Sequence, residues 1–136
     1  MAEKDYSGTP LYKKLGIKEG ARVAFVRAPS GFEEALRPLP DEVEVRKRAT
    51  GRLDVIVVFA QRADELRNRF VRLKEKLDPA GGLWVAYPKK SSKIPADLTF
   101  ELAQQIGLDE GLVDNKSCAI DDDWSALRFV YRLKDR

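Results

Sequence analysis

Seven successive positions, Leu53-Asp54-Val55-Ile56-Val57-Val58-Phe59, carry one polar residue, and the run is rich in β-branched side chains. A strand that is apolar at successive positions must be covered on both faces. From Ala63 to Leu77 the pattern changes to a helical stripe of Leu66, Phe70, Leu73 and Leu77. Pro79-Ala80-Gly81-Gly82 then predicts a break, and Leu83-Trp84-Val85-Ala86-Tyr87 a second apolar strand. Strand, helix and strand in that order predict a right-handed crossover between parallel strands.

The flanking segments extend this unit. Thr9 reads as an N-cap before Pro10, with a short helix over Leu11–Leu15 stopped by Gly16; Tyr6, Leu11 and Leu15 are its packing residues. Arg22–Ala28 is predicted as the first strand and Phe32–Leu36 as a short helix. Val43-Glu44-Val45 alternates like an exposed edge strand. Leu98–Ile106 forms a fourth helix with Asp97 as N-cap, Leu98, Leu102 and Ile106 as its buried stripe, and Gly107 as its stop. Leu112–Ile120 and Ala126–Tyr131, joined across Asp121-Asp122-Asp123-Trp124, predict an antiparallel hairpin. The expectation is one Rossmann-like α/β domain over residues 1–136, with 1–8 a flexible arm.

Composition changes the picture mainly by what it removes. There is no histidine, so Ser-His-Asp and Cys-His mechanisms within the chain are excluded. One cysteine, Cys118, allows no internal disulfide and reads as a small buried residue. No apolar run is long enough for a bilayer, and Met1-Ala2-Glu3-Lys4-Asp5 is not a signal peptide, so the expected compartment is the cytoplasm. A formal charge of +3 permits anionic ligands but does not argue for nucleic acid.

The candidate chemistry lies at predicted strand ends. Pro29-Ser30-Gly31-Phe32 stands where a dinucleotide or S-adenosylmethionine domain carries its glycine-rich turn, but with one glycine. Arg46-Lys47-Arg48 falls where such a site wants an acid for the ribose; it favours a phosphorylated ligand or simply guards an edge strand. Lys89, Lys90 and Lys93, beside Ser91 and Ser92, form a candidate anion cluster or a plain lysine-rich loop. Asp114, Asn115 and Lys116 either face a pocket or cap neighbouring backbone. Arg62, Arg67, Arg69 and Arg72 read as a solvated helix face or a dock for an acidic partner. Asp121-Asp122-Asp123 reads as a solvated turn before it reads as a cation site.

With the element order established, Leu77-Asp78-Pro79-Ala80-Gly81-Gly82-Leu83-Trp84-Val85 resembles the approach to the fifth strand of a shortened S-adenosylmethionine-dependent methyltransferase fold. The resemblance implies a sheet in the order 2-1-3-4-6-5, mostly parallel, with strand 6 antiparallel. A closer likeness is carried by Tyr6-Ser7-Gly8-Thr9-Pro10-Leu11, Lys13-Lys14-Leu15-Gly16-Ile17, Pro29 with Gly31-Phe32, and Trp84 with Tyr87-Pro88-Lys89. Gly111-Leu112-Val113-Asp114-Asn115-Lys116 with Cys118-Ala119, and Trp124-Ser125 with Leu127-Arg128, complete it. On these residues the chain resembles the bacterial domain-of-unknown-function 3052 family, a likeness that implies the fold and no activity.

The leading expectation is a non-catalytic protein that binds a small anionic ligand or a protein partner through Ser30, Gly31, Lys89, Lys90, Lys93, Asp114, Asn115 and Lys116. No cofactor and no metal are expected, S-adenosylmethionine or a nucleotide being what the fold would admit. The alternatives are a minimal S-adenosylmethionine-dependent methyltransferase and, less favoured, a nucleic-acid-binding module.

Overall fold

A computed structural model describes residues 8–136. The arm proposed for 1–8, apart from Gly8, and the packing role of Tyr6 lie outside the described residues. In chain order the elements are α1 (Leu11–Lys14), β1 (Arg22–Val26), α2 (Phe32–Leu36), β2 (Glu44–Arg46), β3 (Leu53–Phe59), α3 (Ala63–Lys76) and β4 (Leu77–Pro88). They are followed by α4 (Phe100–Asp109), β5 (Leu112–Ala119), β6 (Trp124–Tyr131) and a closing turn of 3-10 helix at Leu133–Asp135. The six strands form one sheet in the order β2-β1-β3-β4-β6-β5. β2, β1, β3 and β4 are mutually parallel, and β6 runs antiparallel to both β4 and β5. This is the Rossmann-like α/β order that the methyltransferase resemblance implied.

β3 is buried on both faces because two separate cores meet across it. Ile56 and Val58 pack with Leu66, Phe70 and Leu73 of α3 and with Ala103 and Ile106 of α4. Val55, Val57 and Phe59 pack on the other face with Leu15, Ile17, Phe32 and Leu36. Each large side chain fully buried this way contributes about 1.5–3 kcal/mol. The indole N–H of Trp84, in the middle of β4, donates to the Leu15 carbonyl at 3.0 Å and ties α1 to the sheet.

Several local expectations are corrected. β1 stops at Val26, and Arg27 turns the chain at φ 60°. The break at Pro79–Gly82 does not separate helix from strand, because Leu77 already pairs with Leu53 before Gly82 pairs with Val55. β4 therefore advances five residues while β3 advances two, and the excess loops out at Asp78–Gly81. α4 starts later than its pattern suggested, with Thr99 as the cap accepting from the Leu102 N–H at 3.2 Å. Asp97 instead caps α3 from outside, accepting from the Ala63 N–H at 2.8 Å. Leu102 is exposed, while Ala103 and Ile106 form the buried stripe of α4. Gly107 lies inside that helix, where any Cβ would enter the Phe129 ring. β6 begins at Trp124, so residues 120–123 make the hairpin turn.

At the amino edge of the sheet, Asp54 explains its place in an apolar strand. Its carboxylate accepts from the Arg22 backbone N–H at 2.8 Å and from the Arg22 guanidinium at 3.1 Å through both oxygens. Asp78 stands 3.8 Å from Arg22 and 4.0 Å from Arg52, which closes a small ion cluster.

Candidate functional site

Open α/β sheets bind ligands beyond the carboxyl ends of their strands. Beyond β1, Gly31 precedes α2 at φ 90°, and its carbonyl accepts from the Ala35 N–H at 3.1 Å. Such a φ favours glycine. No atom lies within 4 Å of where a Gly31 Cβ would be, and Ser30 beside it is exposed, so this loop is open to a ligand. Beneath it runs a row of edge-on aromatic contacts, Phe25–Phe32 at 5.2 Å, Phe32–Phe59 at 4.9 Å and Phe59–Trp124 at 5.1 Å. The row gives the carboxyl edge a rigid apolar floor from β1 to β6.

Beyond β4, the 89–99 loop and the first turn of α4 enclose a cavity of about 620 Å³, lined by Tyr87, Lys89, Lys90, Ser92, Thr99 and Glu101 among others. The loop is folded back on itself. The Ser92 N–H donates to the Lys89 carbonyl at 2.9 Å, and the Ser92 hydroxyl donates to Asp123 at 3.0 Å. The Lys89 N–H donates to the Asp123 carbonyl at 2.8 Å, so the cavity wall is fastened to the β5–β6 hairpin. Burial pushes the Tyr87 phenol upward, with Glu101 adding to the shift. The phenol is therefore a hydrogen-bond donor at neutral pH rather than a base.

The eight predicted site residues fall into three places. Ser30 and Gly31 stand beyond β1. Lys89 and Lys90 line the β4 cavity, whereas Lys93 is exposed and outside its lining. Asp114, Asn115 and Lys116 lie on β5, the outer strand, and are not brought to either place. The Asp114 carboxylate accepts from the Gln104 amide at 3.2 Å, and the Asn115 side-chain oxygen accepts from Arg128 at 3.4 Å. Asp121 accepts from the backbone N–H groups of Asp123 and Trp124 at 2.8 and 2.9 Å, which closes the hairpin turn. Burial pushes the Cys118 thiol up to about 11, so it is not a thiolate near neutrality.

A third feature was not read from the sequence. β2 is three residues long, and residues 47–52 return directly from it to β3 without a helix. Parallel strands are usually joined through about a dozen residues or more. The short link crosses the α3 side as a strap, with Ala49 packed on that core. Between strap and α3 lies a groove of about 460 Å³ lined by Arg27, Lys47, Arg48, Arg69, Arg72 and Lys76 over Phe25, Val26, Ala49 and Leu73. The sequence shows the basic run and the arginines separately. The missing helix that lets them face one another is readable only from the length of the link.

Comparisons with known proteins bear on the fold. No protein-family model matches the chain, so the family 3052 likeness stays a resemblance, and no curated protein matches it. Among solved structures, it is similar to a ribosomal protein L11 methylase from Lactobacillus delbrueckii subsp. bulgaricus, with a TM-score of 0.62, 14% identity, and coverage of 88% of this chain and 74% of that one. A S-adenosylmethionine-dependent methyltransferase from Aquifex aeolicus gives 0.58 at 15% identity, covering 86% and 85%. Aeropyrum pernix fibrillarin, solved with natively bound S-adenosylmethionine, gives 0.60 at 12% identity, covering 85% and 69%. The fold is thus methyltransferase-like. The expectation of no cofactor is corrected by these neighbours, because solved proteins of this fold hold S-adenosylmethionine.

The residues at the carboxyl edge fit such a ligand in place, through the open Ser30-Gly31 loop over its aromatic floor. They depart from it in the ribose anchor. Glu44 is at the start of β2 and is taken by Arg46 at 2.7 Å, while Lys47 and Arg48 occupy the far end.

Proposed function

We propose that the chain is a minimal S-adenosylmethionine-dependent methyltransferase, with the ligand laid along the carboxyl edge of β1 and β3. The observation that carries this reading is the six-strand order with β6 antiparallel, together with the unobstructed Gly31 turn at the end of β1. When bound, the cofactor supplies an activated methyl group, and its transfer asks mainly for positioning of donor and acceptor. The absence of histidine is therefore no obstacle.

On this reading the exposed Ser30 hydroxyl and the Gly31 backbone hold the cofactor's polar end. The Phe25, Phe32 and Phe59 row supports the loop from below and excludes water from that side. The β4 cavity, with Tyr87 as donor and Lys89 and Lys90 at its rim, is the adjoining space for an acceptor. Isothermal titration of the full chain with S-adenosylmethionine and S-adenosylhomocysteine tests the proposal. Saturable binding of both supports it, and an absence of heat at millimolar cofactor ends it.

A further inference from the structure

Six cationic side chains line the groove between α3 and the 47–52 strap, and no carboxylate lines it with them. Among the described residues, none of the six takes part in an ion pair. Acids are not scarce, since the chain has 22 against 25 lysines and arginines. Other arginines on or beside α3 have found theirs: Arg62 stands 3.5 Å from Asp97, and Arg67 stands 3.2 Å from Asp109. Arg69, Arg72 and Lys76 lie on the side of α3 that faces the strap, while Lys74, on its other side, donates to the Glu110 carbonyl. Like charges gathered around one concavity repel, and the repulsion is relieved when an anion enters.

The dimensions and lining define the anion further. A volume of 460 Å³ lies within the range of about 300–1,000 Å³ typical of small-molecule sites. Arg27, Arg48, Arg69 and Arg72 offer planar forks that match phosphate oxygens, and Lys47 and Lys76 add point charges. Single-stranded nucleic acid is held on aromatic side chains that stack its bases. The one aromatic residue in this lining, Phe25, is 9% exposed and belongs to the opposite core. The groove therefore suits a compact polyanion better than a strand.

We propose that this groove binds a small molecule carrying several linked phosphates, with Arg69 and Arg72 on α3 and Lys47 and Arg48 on the strap gripping it from two sides. The groove adjoins the proposed cofactor site at the ends of β1 and β2, but neither Ser30 nor Gly31 lines it, and Arg69 and Arg72 on α3 belong to the groove alone. Its test is calorimetric titration of the full chain with inorganic tripolyphosphate at low salt, beside orthophosphate and a single-stranded oligonucleotide. Tripolyphosphate should bind at one site, more tightly than orthophosphate, and weaken as salt rises. The double variant Arg69→Ser/Arg72→Ser should bind it about tenfold more weakly or worse. Lys47→Ser/Arg48→Ser should show a similar loss without touching α3, and Lys90→Ser, outside the groove, none. Unchanged melting of each variant keeps the comparison free of misfolding. No binding of tripolyphosphate at low salt, or undiminished binding by both double variants, overturns the proposal, as does tighter binding of the oligonucleotide. S-adenosylmethionine titrated into Arg69→Ser/Arg72→Ser should behave as with the unaltered chain, so failure of one site is distinguishable from failure of the other.

Discussion

At the amino edge of the sheet, Arg22 and Arg52 share Asp54 and Asp78, and the charges close on one another within 4.0 Å. Along the strap-facing side of α3, Arg69, Arg72 and Lys76 stand opposite Lys47 and Arg48 with no acid between them. The two regions use the same residue types with opposite results. The first cluster fastens the ends of β1, β3 and β4 together and has no capacity left for a ligand. The second makes no ion pair among the described residues and keeps its charges available. What separates them is the backbone: three strand ends converge at the amino edge, whereas the short β2 and the helix-free link leave a gap beside α3.

The largest effect is expected at Asp54. Asp54→Ala removes three hydrogen bonds and leaves the Arg22 backbone N–H without its acceptor. After allowing for partial exposure, the loss should be about 1–2 kcal/mol, read from urea unfolding at neutral pH. Acid should produce a smaller loss at the same residue. Hydrogen bonding to Arg22, above all, holds the Asp54 carboxyl below its ordinary value of 3.8. A depressed folded-state value means that its contribution is full above about pH 4 and fades as pH falls further, through the folded value. The stability gap between the unaltered chain and Asp54→Asn should therefore be constant above about pH 5 and narrow as pH falls below about 4. A gap that does not narrow would show that the cluster is not held by charge. The smallest effect is expected in the groove. Arg69→Ser/Arg72→Ser should leave the melting temperature unchanged, or slightly raised at low salt with the difference vanishing at high salt. A clear loss of stability there would mean that the groove cations hold the fold after all.

Much of the architecture could be read along the chain because its signals are local. The β3 run and the α3 stripe are each interpretable within a few residues, and a right-handed crossover fixes their relation. The misread places depend on distant partners. Gly107 looked like a helix stop, yet it is glycine because Phe129 packs against it. Asp97 had the right chemistry for a cap and serves a helix that begins 34 residues earlier. Pro79–Gly82 looked like a boundary, and only the pairing of Leu77 with Leu53 shows that the strand has already begun. The site was less legible for the same reason. Ser30-Gly31 and Lys89-Lys90 follow strands that the local pattern predicts, whereas the place of Asp114–Lys116 on the outer strand β5 is set by its pairing with β6. The groove required joining two basic segments through a connection whose significance is its brevity.

The bond from the Trp84 indole to the Leu15 carbonyl has a practical consequence. Trp84 is 1% exposed and Trp124, on the neighbouring strand β6 and the same face, is 8% exposed. The protein thus carries its own fluorophores on the α1–α2 side, while the basic groove opens on the α3 side. Emission can follow the loosening of one layer while calorimetry watches the other, with no label attached.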